Sequence, residues 1–96
     1  MAIQNSTLRS FALQVNDLWA LLGRKPAPDV FNNPQRHTLV PYPYPLMVPG
    51  GRFRESYYWD TYWIVLGLLA SDLHETAEKV VNNLLWEADT YGFVPN

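Results

Sequence analysis

The amino-acid sequence predicts an all-α fold of about three helices joined by one extended connector, and three features of the 96-residue chain lead to it. Apolar residues recur at steps of three and four over residues 7–22, 57–71 and 73–91, the spacing that lines one side of an α-helix. Seven of the eight prolines fall within residues 24–50, where a helix cannot persist. Ser71 and Asp72 divide the last two periodic segments closely enough to make a helical hairpin.

In the first segment Leu8, Phe11, Ala12, Val15, Leu18, Trp19 and Leu22 share a side, while Arg9, Gln14, Asn16 and Asp17 fall on the other. Ser6 or Thr7 is expected to cap its start by offering a side-chain oxygen to a free backbone N–H. Gly23 is expected to end it in the left-handed conformation that a Cβ disfavours. The stretch LVPYPYPLMVPGG follows, and each of its prolines removes a backbone donor and restrains the residue before it. Residues 24–50 therefore read as an extended connector with room for a short strand. Tyr42, Tyr44, Leu46, Met47 and Val48 make it too apolar for a flexible linker, so it is expected to lie packed on the body of the protein.

The second helix sets Tyr58, Tyr62, Val65, Leu66 and Leu69 on one face and Trp59, Trp63 and Ala70 on the next. Apolar nearly all round, it is expected to be buried on both faces. Asp72, with Glu75 three residues later, reads as a capping box for the third helix. That helix carries Leu73, Ala77, Val80, Val81, Leu84, Leu85 and Ala88 on one stripe, with Glu75 and Lys79 spaced to pair on the opposite face and Gly92 to close it. A helix buried on two faces followed by one buried on a single face is the order expected where an inner ring of helices is wrapped by an outer ring.

Composition narrows the function. Hydrophobic residues make up 48% of the chain and include four Trp, six Tyr and four Phe, more apolar bulk than so small a domain hides by itself, so something else is expected to cover it. The net charge is -2 with scattered basic residues, which leaves no footprint for nucleic acid or anionic lipid. No cysteine is present, so disulfides and thiolate metal sites are excluded. His37 and His74 have no partners at ligand spacing and no glycine-rich phosphate loop follows a strand, so neither metal nor cofactor is expected. The longest apolar stretch, Trp59 to Ala70, is interrupted by Asp60 and Thr61 and falls short of the ~20 residues of a membrane span. MAIQNSTLRSF has no signal-peptide pattern. Asn5-Ser6-Thr7 is a glycosylation sequon by type and a polar helix cap by position.

The chemistry is concentrated in Pro49 to Tyr62, PGGRFRESYYWDTY. Pro-Gly-Gly makes a turn with freedom at positive φ and delivers Arg52 and Phe53 just before a helix start, whose first turns carry Tyr57, Trp59, Asp60 and Tyr62. Those groups suit a pyranose. Its C–H faces stack on flat rings such as Trp59 and Phe53, and its hydroxyl rim is gripped by a carboxylate and a guanidinium, Asp60 and Arg52. By type and spacing alone a second reading stands beside it: Tyr58, Trp63 and Trp59 as core, with Arg52 and Asp60 an ion pair that lets both be buried.

The segment resembles the trehalase signature P-G-G-R-F-x-E-x-Y-x-W-D-x-Y, whose ten fixed positions are met by Pro49, Gly50, Gly51, Arg52, Phe53, Glu55, Tyr57, Trp59, Asp60 and Tyr62. QVNDLWALLGR and TYGFVPN are similar to family segments on either side, so the resemblance covers most of the chain and is weakest over residues 1–11 and 24–38. It implies an (α/α)6 barrel that hydrolyses α,α-trehalose to two glucose molecules with inversion, and substrate contacts at Arg52, Phe53, Tyr57, Trp59, Asp60 and Asn96. Glu55 belongs to the signature and is read as structural, paired with an arginine. Inverting glycosidases need two carboxyl groups about 6.5 to 9.5 Å apart. In the family these come from downstream segments with no counterpart here, so the chain is expected to be a portion of such an enzyme, inactive alone. The competing reading is a non-catalytic helical module for sugar binding or protein interaction. Compartment and oligomeric state are open.

Overall fold

In the computed structural model, which describes residues 3–96, the chain is mostly helical, an all-α piece of the kind a helical barrel contains. Helix α1 spans Ser6–Asp17 and α2 spans Trp19–Leu22. After strand β1, Gly23–Arg24, come a short helix α3, Pro28–Asn32, a 3-10 turn, Pro34–Arg36, and strand β2, Leu46–Met47. Helices α4, Tyr58–Ala70, and α5, His74–Tyr91, form the closing hairpin.

Helix α1 begins one residue earlier than its expected caps require. Asn5 is its N-cap, and Asn5 Oδ1 accepts from Thr7 N at 3.0 Å and Leu8 N at 3.1 Å. Gly23 does not take the left-handed conformation. With φ -68° and ψ 136° it runs straight into β1, which pairs antiparallel with β2 in the register Gly23 to Met47 and Arg24 to Leu46. The connector is thus not wholly extended: Pro28 stands at the first position of α3, where a fixed φ helps and the missing N–H would have gone unpaired anyway.

The connector is packed, as its apolar content requires. Tyr42, Leu46 and Val48 are buried, with Val40 and Trp86 against them. Trp86 meets Tyr42 edge-on at 6.2 Å. A second cluster joins Leu68, Ala77 and Val80 to Trp19, Met47, Ile64 and Leu73, and so ties α2, β2 and the α4–α5 hairpin together. Trp19 lies so close to α4 that a Cβ on Gly67 would sit 3.0 Å from its ring. Its indole N–H donates to Ser71 Oγ at 3.0 Å.

The hairpin turn is made by backbone geometry and not by a capping box. Asp72 takes φ 62°, its N–H reaches Leu69 O, and Leu73 N–H reaches Leu68 O. With Leu73 packed on Leu68, this is a Schellman ending, with an aspartate in the left-handed place. Leu73 is the N-cap of α5 and gives no side-chain cap, while the Asp72 carboxylate bonds His74 instead. At the other end Gly92 does close α5 in the left-handed conformation, φ 83°, and Lys79 Nζ lies 3.2 Å from Glu75 Oε1.

One expectation about burial is overturned, that of the α5 stripe. The inner stripe of α5 is Ala77, Val80, Asn83 and Glu87, while Val81 and Leu85 face out. The stripe is rotated because it packs on the connector, whose backbone supplies groups for Asn83: Asn83 Oδ1 accepts from Tyr44 N at 3.0 Å, and Asn83 Nδ2 donates to Tyr44 O and Pro45 O. Helix α4 is apolar nearly all round but buries only Thr61 and Leu68 fully. The radius of gyration, 15.3 Å, exceeds the roughly 12.5 Å of a closed domain of this length, in keeping with so much uncovered apolar surface.

Candidate functional site

The Gly50–Phe53 segment is a two-residue turn. Gly50 at φ 116° and Gly51 at φ 59° occupy backbone conformations that disfavour a side chain. Phe53 N donates to Gly50 O at 3.0 Å, and Gly50 N to Phe53 O at 3.3 Å. The turn sets the Arg52 guanidinium 4.9 Å from the centre of the Phe53 ring, a cation–π stack that orients the charge. Phe53 in turn meets Tyr57 edge-on at 5.8 Å. Arg52, Phe53 and Tyr57 therefore form one group.

Tyr57 is the extended N-cap residue of α4, and its carbonyl accepts from both Thr61 N at 3.0 Å and Thr61 Oγ1 at 2.7 Å. The buried threonine thus anchors the helix start. Trp59 and Asp60 follow in the first turn, where the helix dipole favours a carboxylate. Trp59 is 72% exposed, so it is no part of this chain's core. It meets Trp63 edge-on at 6.4 Å, and Trp63 meets Tyr62 at 5.0 Å. These rings and Asn96 line an open groove of about 660 Å³.

Trp59 and Asn96 thus share one groove, and Arg52, Phe53 and Tyr57 share one stack. Arg52 and Asp60 make no ion pair among the described residues, so the reading in which they neutralise each other in a core has no support here. Arg52 is exposed and Asp60 half-buried. Glu55 is exposed and likewise makes no ion pair among the described residues, against the expectation that it pairs with an arginine. Among the described residues no group of three or more His, Cys, Asp or Glu side chains could hold a metal. No helix there is long and apolar enough to cross a membrane.

A buried carboxyl group on α5 is a feature the sequence reading missed. Glu87, on α5, is 1% exposed and accepts a hydrogen bond from the Tyr42 hydroxyl through Oε1, while the buried Oε2 has no partner among the described residues. Burial raises the carboxyl group above its ordinary range, and the Tyr42 bond opposes part of that rise. Tyr42 is itself driven well above the usual phenol range, first by burial and then by Glu87, with the Ser56 hydroxyl beside it pulling the other way. A second groove of about 480 Å³ is lined by Tyr42, Arg54, Ser56, Glu87 and Asn96, among others. The signal was present in the sequence: Asn83 and Glu87 continue the Ala77–Val80 periodicity with polar residues.

A family profile described as trehalase matches residues 1–96. The chain is 50% identical over 94 residues to a probable trehalase of Oryza sativa subsp. japonica, and 46% identical over 94 residues to the trehalases of Apis mellifera and Homo sapiens. Each match covers 98% of this chain and 15% to 17% of the relative, so the chain spans about a sixth of the length of the curated relatives it matches.

Proposed function

The chain belongs to the trehalase family, and we propose that it supplies part of the pocket in which an inverting glycoside hydrolase cleaves α,α-trehalose to two glucose molecules. The observation that carries this reading is the exposure of the signature residues. Trp59 at 72% and Phe53 at 44% sit beside a charged Arg52 and Asp60 at a helix start, where the chain's own core has no use for them. Trp59 and Phe53 offer their faces to the sugar's C–H surfaces. Asp60 accepts hydrogen bonds from hydroxyls, and Arg52, held over Phe53, donates to others. The Tyr57 hydroxyl and the Asn96 carboxamide complete the contacts from this segment.

Hydrolysis with inversion needs one carboxylic acid to protonate the leaving oxygen and one carboxylate to activate water. Neither role falls to Glu55 or Asp60 in this reading, so the segment binds and orients while other parts of a trehalase carry out the proton transfers. The test is a segment exchange: these residues replace the aligned 94 residues of the Oryza sativa relative, and the chimera is assayed for glucose release and for the anomer first formed. The chimera should hydrolyse trehalose, releasing one α- and one β-glucose, while the 96-residue chain alone should not. Turnover by the chain alone would return Glu55 and Asp60 to consideration as the catalytic pair.

A further inference from the structure

Among the described residues Glu87 carries the only fully buried carboxyl group, and the proposed function gives it no role. A buried carboxyl group is tolerated where hydrogen bonds hold it, and it then fixes the place of whatever it bonds. Glu87 bonds the hydroxyl of Tyr42, a connector residue 45 positions away. Ser56 lines the same groove as Tyr42 and Glu87. Ser56 immediately precedes Tyr57, which starts α4 and closes the Phe53–Tyr57 aromatic pair. Glu87 is therefore bonded to the connector, and both line a groove with the residue that precedes the start of α4. Arg54, Ser56, Glu87 and Asn96 line this groove together, which puts Glu87 on one wall with the residues that follow Phe53.

We propose that Glu87 is a positioning residue for the sugar site: acting through Tyr42 and the groove wall they share with Ser56, it sets where Phe53 and Tyr57 stand relative to α4. This rests on the reading of Arg52, Phe53, Tyr57, Trp59 and Asp60 as sugar contacts. Glu87 itself touches no substrate. Its loss lets the loop drift while leaving the contact residues intact, so affinity suffers before chemistry does.

The test uses the segment-exchange chimera with Glu87→Gln, Glu87→Ala, Tyr42→Phe and the double variant Glu87→Ala/Tyr42→Phe. Glu87→Ala and Tyr42→Phe should each raise KM for trehalose about tenfold, inside the hundredfold a 1 Å misplacement can cause, with a smaller fall in kcat. The double variant should be no worse than either single one, because both cut the same hydrogen bond. Glu87→Gln keeps an oxygen for the Tyr42 hydroxyl and should recover to within about threefold. Amide exchange at Phe53, whose N–H closes the turn on Gly50 O, should quicken in Glu87→Ala and not in Glu87→Gln. Variants that melt lower yet keep KM and kcat at temperatures well below the melt would overturn the proposal. If Glu87→Ala does not fold, Tyr42→Phe against Glu87→Gln decides it. If the unmutated chimera does not hydrolyse trehalose, the sugar-site reading fails, and positioning is judged by exchange alone: unchanged protection at Phe53 sinks it.

Discussion

Helices α4 and α5 pack on each other but treat apolar and polar residues in opposite ways. On α4, Tyr58, Trp59, Tyr62 and Trp63 are between 55% and 72% exposed. On α5, Asn83 and Glu87 are 3% and 1% exposed, while Leu85 is 61% exposed. The difference lies in what faces each helix. Opposite the inner side of α5 runs the proline-rich connector, whose carbonyls and remaining N–H groups need partners, so polar side chains are drawn in. Over the outer face of α4 the described residues leave an open groove. Residue type says which surfaces tend to be covered, but the neighbouring element decides which are.

The comparison predicts where substitutions hurt, and stability is best followed by urea titration of the segment-exchange chimera. Leu68→Ala, at the one leucine of α4 that is fully buried, should have the largest effect, about 2–5 kcal/mol, from lost burial and the cavity left behind. Asn83→Ala should follow at about 2–3 kcal/mol, the sum of three backbone hydrogen bonds of ~1 kcal/mol each. Asn83→Leu should do no better, since it leaves the same backbone groups unpaired. A stabilising Asn83→Leu would break the comparison, because it would mean the inner face of α5 is simply an apolar face.

A pH series sharpens the same point. Burial raises Glu87 above its ordinary value of 4.5, so the folded state favours the neutral acid. Its contribution is therefore fully present below that ordinary value and is lost as pH rises through the raised one. Asp29 has the opposite sign. Hydrogen bonds from His37 and Asn33 lower it, so its contribution is present above its ordinary value and is lost as pH falls through the lowered one. Glu87→Gln should remove the first slope and leave the second. The smallest effect belongs to the outer face of α4: in the isolated chain Trp63→Ser should change stability by less than ~0.5 kcal/mol. It should at the same time weaken self-association measured by sedimentation, because an exposed aromatic patch is removed.

Local features were legible in the sequence and non-local ones were not. Gly92 at the end of α5 and the Glu75–Lys79 pair depend only on residues within a turn or so of each other, and the structure shows both. The Gly50–Gly51 turn is local too. Capping was read less well, because Asn5, Gly23 and Asp72 each had a choice between neighbouring arrangements that pairing or packing settled. Asn83 and Glu87 escaped notice because their partners lie 39 and 45 residues away, in a connector whose path no periodicity describes. The proposed site residues came from the signature, and the structure adds what type and spacing could not: Trp59 is exposed, and Arg52 and Asp60 make no ion pair among the described residues.

Asp60 offers the most direct test of the proposed sugar site. In the chimera, kcat/KM for trehalose is to be measured for the parent, Asp60→Asn and Asp60→Ala, with thermal melts of each. If Asp60 accepts hydrogen bonds from sugar hydroxyls, Asp60→Ala should lose about ten- to hundredfold in kcat/KM, in line with ~1.5 to 3 kcal/mol for a charged hydrogen bond. Asp60→Asn, which keeps an acceptor oxygen without the charge, should fall between, and all three proteins should melt at similar temperatures. Unchanged kcat/KM with a sharply lower melting temperature would show instead that Asp60 only stabilises the start of α4.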